Sequence, residues 1–209
     1  MKYYQKNLLV LSLTNFLAAS SWNQVIPFMP QFLRELGVGA QIAAWSGFVY
    51  AIQYVSGIIM QPIWGKISDR YGRKPMVIRA GFCLAFVYFG MSLCQAPWQL
   101  AMMRFLNGAL TGFVPGAIAL IATNTPGALA GRFVAVAQTA NAAGNIAGPA
   151  IGGLLAAGFG YRSAMRLSGF SVVISTLLVI FLVEERQKVT ASAPTSLWED
   201  VCLTAKQPV

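Results

Sequence analysis

The densest concentration of charge in the chain is the run Gly65-Lys66-Ile67-Ser68-Asp69-Arg70-Tyr71-Gly72-Arg73-Lys74. One carboxylate set among four cations stays ionised, because nearby opposite charges favour its charged form. Asp69 is therefore expected to work as an electrostatic latch between two helices. Gly65 is expected to end the first helix and let a neighbour approach closely, and Gly72 to permit the sharp turn before the second. Arg70, Arg73 and Lys74 complete the latch. A plain basic loop that only fixes membrane topology would need the cations, but not Asp69 and Gly72 in these places.

Two further patterns lie within apolar surroundings. Arg104-x3-Gly108-x3-Gly112-x3-Gly116 sets a permanent cation at the head of three glycines that recur every four residues. Arginine in a membrane span is costly and faces a bundle interior or a water-filled cavity; near a helix end it snorkels to the interface instead. The second pattern is Gly144-x3-Gly148-Pro149-x2-Gly152-Gly153. Ala140, Gly144, Gly148, Gly152 and Ala156 recur every four residues and form one flat ridge for close helix packing in lipid, while Pro149 can bend the helix. Asn15, Asn23, Gln24, Gln53, Asn107, Gln138, Asn141 and Asn145 are polar residues inside apolar runs, and are candidates for lining a cavity.

Other chemistries lack their parts. The chain has no histidine, so His-ligated metal, a His general base and a His pH switch are excluded. Cys83, Cys94 and Cys202 are scattered, with neither metal spacing nor a disulfide framework. No nucleophile–base pair is present, so no enzyme, metal or cofactor is expected. The net charge of +9 punctuates apolar runs instead of forming one face, which argues against nucleic acid as a partner.

The elements that must position these residues are membrane spans. The chain is 56% hydrophobic and only 10% charged, too few charges to cover a water-facing surface. Six apolar segments are read at 7–35, 41–64, 75–95, 98–122, 131–157 and 162–183, each reaching the roughly 20 residues that cross a bilayer. They predict an all-α six-helix bundle over 1–186, with 187–209 a polar linker on the cytoplasmic side. Lys2, Lys6, Lys66, Arg70, Arg73, Lys74, Arg79, Arg132, Arg186, Lys188 and Lys206 fall on one side, and Arg34, Arg162 and Arg166 on the other. This bias predicts both termini in the cytoplasm. Gln61-Pro62-Ile63-Trp64-Gly65 and Gly148-Pro149-Ala150-Ile151-Gly152 end spans 2 and 5, and each is followed by a glycine turn and an arginine. Either two Gly-Pro helix ends coincide by chance, or spans 1–3 and 4–6 are a 3+3 inverted repeat, a construction common in secondary transporters.

The run from Gly65 to Lys74 resembles the signature between helices 2 and 3 of the major facilitator superfamily, and matches it throughout. The span 5 pattern resembles the antiporter motif of that superfamily's drug/proton exchangers, with Ala135 in place of an upstream glycine. The Arg104 pattern resembles a helix 4 motif in which arginine assists proton transfer. Val25-Ile26-Pro27-Phe28-Met29-Pro30 and Gly112-Phe113-Val114-Pro115 are similar to one multidrug-exporter branch. The resemblance implies a secondary transporter of the bacterial inner membrane that exports small amphipathic substrates against protons by rocking two bundles. It also implies a partner, either a C-terminal six-helix half or a second copy. A sugar or metabolite exporter, or a non-transporting product, are the alternatives. One departure stands out: no carboxylate lies at mid-membrane, since Glu35 is at a helix end and Asp69 is read in a loop.

Overall fold

The computed structural model describes residues 3–185, and within them every regular element is an α-helix. They are α1 (Tyr3–Gln24), α2 (Met29–Glu35), α3 (Ile42–Tyr71), α4 (Arg73–Leu93), α5 (Pro97–Leu110), α6 (Phe113–Asn124), α7 (Gly127–Phe159) and α8 (Tyr161–Leu182). The linker expected at 187–209 lies outside the described residues.

Five helical stretches are long and apolar enough to cross a membrane: Ile42–Tyr71, Arg73–Leu93, Pro97–Asn124, Gly127–Phe159 and Tyr161–Leu182. Their outer surfaces suit lipid, with Ile58, Ile146, Leu154 and Phe181 all more than 70% exposed. Helix α1 has comparable length, at 22 residues, but is more polar. It buries that polarity: Thr14, Asn15, Ser20, Ser21 and Gln24 are all shielded where α1 packs against α6, α7 and α8.

Several expected boundaries move. The segment 7–35 is two helices, because the chain turns through Val25–Phe28 at Pro27 before restarting with Pro30 in the first turn of α2. The segment 98–122 is also two, broken at Thr111 and Gly112, where Gly112 takes φ +140°. The span expected at 41–64 instead continues to Tyr71. Gly65 therefore does not end a helix, and Asp69 and Arg70 stand on helix rather than in a loop. At 30 residues α3 is about 45 Å long, well beyond the roughly 30 Å of hydrocarbon, so its last turns reach the polar zone without unwinding. Gly72, at φ +102°, makes the actual stop, in a region of backbone space that side chains disfavour. The span expected at 131–157 instead begins at Gly127, as the 33-residue α7, which runs through Pro149 unbroken.

Packing follows a simple order. Helix α1 lies along α7 and α8, α3 along α5, and α4 along α8, α5 and α6. Two apolar cores result. One, around Met29, Phe32, Tyr88, Met91 and Met165, lies toward the end that holds α2. The other, around Leu11, Val77, Phe113, Ala117 and Val179, lies toward the end that holds the basic run.

Candidate functional site

An open cleft of about 350 Å³ forms where α5 gives way to α6. Its walls are Ala18, Ala19, Trp22 and Asn23 from α1, Gln61 from α3, Leu84 from α4, Thr111 to Pro115 at the break, and Asn141 and Asn145 from α7. The side chains are apolar or carboxamide, with one hydroxyl and no charge. Asn23 Nδ2 donates to Asn145 Oδ1 at 2.8 Å and to the Ala19 carbonyl at 3.0 Å. The helix break supplies the rest of the polarity. The first N–H groups of a helix have no intrahelical partner, and the N-terminus of α6, whose first residues lie in the cleft wall, has no side-chain cap.

Of the residues expected to line a cavity, Asn23, Asn141 and Asn145 do so, whereas Asn15 is fully buried on α1. Gln24, Gln53, Asn107 and Gln138 are not in the cleft wall. Gln24 ends α1 and is buried against Gly152. Gln138 sits on an exposed face of α7. Gln53 and Asn107 are both buried, and α3 and α5 approach closely beside them: a side chain on Gly108 would collide with the Gln53 carbonyl and the Ser56 hydroxyl. Gln61, Trp22 and Thr111 are cleft residues that sequence reasoning did not select. A usable signal existed in Gly112 and Pro115, whose spacing marks a helix stop and restart.

Above the cleft on α5 stands Arg104, 2% exposed. Its Nη1 donates to Gln53 Oε1 at 2.7 Å, and the guanidinium lies 5.6 Å from the Tyr50 ring centre. Its Nε and Nη2 are buried without a hydrogen-bond partner, as are both amide atoms of Asn107 one turn on and of Asn15 on α1. Among the described residues the carboxylates are Glu35, Asp69, Glu184 and Glu185, all at helix ends. Arg104 thus lies inside the bundle rather than snorkelling out.

Backbone contact fixes α7 on α1. An added Cβ at Gly144 would come within 2.5 Å of the Phe16 carbonyl oxygen, at Gly148 within 2.6 Å of the Ser20 carbonyl oxygen, and at Gly152 against the Gln24 carbonyl. Three successive turns of α7 therefore touch three successive turns of α1 through main-chain atoms, an arrangement that small residues allow in lipid. Gly153 points the other way, with nothing within 4 Å of an added Cβ.

At the far end, the basic run is fastened differently from the sequence expectation. Asp69 pairs with Arg73 at 3.0 Å, one turn apart in sequence, and its side chain is 57% exposed. The stronger anchor is Glu185. Its Oε1 accepts from the Arg73 amide at 2.8 Å and its Oε2 from the Lys74 amide at 3.1 Å. Lys74 Nζ in turn donates to the Ile180 and Val183 carbonyls. Asn7 and the Glu184 backbone exchange two hydrogen bonds of 2.7 and 3.1 Å. The segment after α8 is therefore tied to the starts of both α4 and α1. Beside it Arg79 lies 3.5 Å over the Trp64 ring, while Trp64 Nε1 donates to the Ala109 carbonyl at 2.6 Å.

Helices long and apolar enough to cross a membrane, one of them interrupted beside a polar cleft and others in backbone contact, define a helical membrane protein with an open cleft on its bundle. The sequence model of the Major Facilitator Superfamily matches residues 11–205, and the chain belongs to that family. It is 35% identical over 206 residues to the multi-drug resistance efflux pump PmrA of Streptococcus pneumoniae, covering 98% of this chain and 52% of that protein. It is 37% identical over 185 residues to the multidrug resistance protein MdtG of Citrobacter koseri, covering 88% of this chain and 46% of that protein. The chain spans about half the length of these relatives. Among solved structures, the human organic anion transporter MFSD10 superposes with a TM-score of 0.79 over 93% of this chain and 51% of that one, at 17% identity. A D-xylose-proton symporter gives 0.75 over 98% and 53%, at 16% identity. These two show the shared fold.

Proposed function

We propose that this chain is one six-span half of a multidrug exporter driven by proton antiport, held in a bacterial inner membrane with both termini in the cytoplasm. The observation that carries the reading is the uncharged cleft, which is open on the bundle surface and walled by α1, α3, α5/α6 and α7. Such a cleft is half a cavity, to be closed by a second six-helix half or a second copy of this chain. The multidrug relatives support drugs as cargo. Small amphipathic molecules suit its mixture of Trp22, Leu84 and Phe113 with carboxamides.

The six-span count takes α1 with α2 as the first span, and α5 with α6 as the fourth. Although α1 is polar, its polar groups are turned inward, so lipid does not meet them. The packing order supports a 3+3 inverted repeat. Exchanging spans 1–3 with 4–6 turns the α1–α7 contact into the α5–α3 contact and the α1–α8 contact into the contact of α4 with α5/α6, and returns α4–α8 to itself. The first helix of each triplet is the broken one. Both inter-triplet seams also use glycine against backbone, at Gly108 and at Gly144, Gly148 and Gly152.

Arginine does not titrate in a protein, and no carboxylate of the described residues lies mid-helix. The proton-binding group is therefore assigned to the other half, with Arg104 setting its electrostatics. The motif around Gly65, Asp69, Gly72 and Arg73, with Glu185 as its anchor, holds the cytoplasmic end in register as the halves rock. The test is drug accumulation in cells that express this chain alone, or with a C-terminal half taken from one of the relatives. Protonophore-sensitive efflux only in the paired cells is expected. Efflux by this chain alone, with crosslinking to a homodimer, would replace the two-half reading with a dimeric pump.

A further inference from the structure

We infer that the groove between the starts of α1 and α7 is a lipid site, which holds the headgroup and upper chain of one anionic phospholipid from the leaflet at that end of the bundle. The groove is open, has a volume of about 730 Å³ and shares no residue with the cleft. The inference is therefore independent of what the cleft carries.

The groove follows from the way the α1–α7 seam comes apart. The two helices run parallel, since Gly144, Gly148 and Gly152 meet Phe16, Ser20 and Gln24 in the same order. Carried back toward the start of α7, the four-residue register of those glycines reads Ala140, Val136 and Arg132. The side chains grow turn by turn, and the main-chain contact that small residues allow gives way. Gln5, Leu8, Leu9 and Ser12 form one stripe of α1 in the wall, at i, i+3, i+4 and i+7, and the lining from Leu129 to Val136 on α7 repeats that spacing. A trough about two turns long lies between the stripes.

Its chemistry is graded along its length as that of a lipid is. In the second turn of α7 stands Arg132, exposed and without an ion-pair partner among the described residues. None of the lining residues is acidic. A phosphodiester supplies the missing charge, and arginine matches phosphate through paired N–H donors. Two turns deeper on α1 than Gln5, Ser12 lines the same groove, and its Oγ is buried without a hydrogen-bond partner. Such orphaned polar atoms are the exception in folded proteins. The ester carbonyls of a glycerolipid lie on the chain side of its phosphate, where this hydroxyl can donate to one of them. Leu9 and Val136 in the wall are exposed, as is Leu13 one turn beyond Leu9, and offer apolar surface to an acyl chain.

The groove also lies where anionic lipid is attracted. Asn7 on α1 bonds the Glu184 carbonyl, and Glu185 holds the amides of Arg73 and Lys74, so the starts of the parallel α1 and α7 share an end with the basic run. Basic pockets between spans on the cytoplasmic side take up anionic headgroups, and cations near that surface draw such lipids in. The alternatives fit less of the groove. A fatty acid has no second acceptor for Ser12, and inorganic phosphate leaves Leu9 and Val136 uncovered.

The test titrates the whole chain in mild detergent with phosphatidylglycerol and phosphatidylcholine of the same acyl chains, and counts bound lipid by native mass spectrometry. One phosphatidylglycerol per chain is expected, bound roughly tenfold more tightly than phosphatidylcholine, because a choline cation about 10 Å from Arg132 is repelled by that order at an effective dielectric of 20. Arg132→Gln should remove most of this preference. Lys6→Gln, which removes an exposed cation beside the groove but outside its lining, should keep it. Ser12→Ala should weaken both lipids alike, by roughly threefold, since both carry the ester and lose one neutral hydrogen bond. Oleate and inorganic phosphate, at the same concentration, should leave phosphatidylglycerol in place. Equal binding of the two lipids, or equal losses from Arg132→Gln and Lys6→Gln, would make the attraction a general surface field and overturn the site. Unchanged binding by Ser12→Ala would take the lipid out of the groove. Displacement by oleate or by phosphate would make the ligand a free amphiphile or a free anion, and overturn the lipid assignment. The lipid comparison and both competitors use the unmodified chain, so a variant that fails to fold does not shield the proposal.

Discussion

Gly152 and Gly153 are neighbours on one helix, follow the same proline and carry the same chemistry, yet alanine should act on them with opposite sign. At Gly152 an added Cβ would meet the Gln24 carbonyl and stand 2.6 Å from Gln24 Cβ. Carbon atoms pack at about 3.5–4.0 Å, so α1 and α7 must part by roughly 1 Å at this level. A gap of 0.5–1 Å forfeits about a quarter to a half of each dispersion contact along the seam, and overpacking of this size costs roughly 1–3 kcal/mol. At Gly153 nothing lies within 4 Å. There the substitution only removes the backbone freedom of glycine, which favours the helix by roughly 0.8–1.0 kcal/mol. The same propensity gain applies at Gly152 and partly offsets the clash. Gly152→Ala should therefore be less stable than Gly153→Ala by about 1–3 kcal/mol, with the unmodified chain between them or close to the weaker. Thermal unfolding of both variants in one mild detergent, followed by helix content and by protease sensitivity, measures the difference. Equal melting, or a more stable Gly152→Ala, would mean that the α1–α7 seam is not in backbone contact, and the cleft built on it would lose its wall.

Glu185→Ala should lower stability by about 0.5–2 kcal/mol, as expected for the loss of a helix cap. Asp69→Asn should cost less than about 1 kcal/mol because the Asp69 side chain is itself more than half exposed; detergent melts of the two variants separate these anchors, and a larger loss at Asp69 would reverse the assignment. In a reassembled pump Asp69→Asn should still reduce transport at normal expression, as read by drug accumulation, if the latch shifts conformational balance rather than folding. Replacing Arg104 and Gln53 together by methionine removes a buried charge and its acceptor at once. Swaps of buried ionic groups for apolar residues are often neutral or stabilising by about 1–4 kcal/mol, so the double variant should melt at or above the unmodified chain, whereas Arg104→Met alone leaves Gln53 Oε1 without its donor and should melt below the double variant. Reporter fusions after Gly39, Pro97 and Phe159 should all read as periplasmic, and a cytoplasmic signal at any one would break the six-span reading.

The basic run, the glycine spacing of α7 and the apolar lengths were legible in sequence because each is local. A four-residue glycine period defines a face whatever it packs on, and Gly144, Gly148 and Gly152 do share one. What could not be read was the partner. Asp69 is the conspicuous acid, set among cations, but the amides at the start of α4 are held by Glu185, more than 100 residues away. Helix ends were misplaced for a related reason. Charge suggested a loop at 65–71, although a helix 45 Å long simply carries its last turns out of the hydrocarbon, where Lys66, Asp69 and Arg70 continue it at little cost.

The polar residues show the limit most clearly. Asparagine and glutamine inside apolar runs read alike in sequence, and their facing depends on how closely the helix backbones approach. Where Gly108 lets α5 touch α3, Gln53 and Asn107 are sealed away. Where α5 stops at Leu110 and α6 restarts at Phe113, the same face opens and Thr111, Gln61 and Asn141 become a wall. Gly108 and Gly112 are one turn apart and chemically identical. One closes a helix seam by having no side chain, and the other opens a cleft by adopting φ +140°. In this chain the glycines, more than the polar residues themselves, decide which polar groups are open at the cleft.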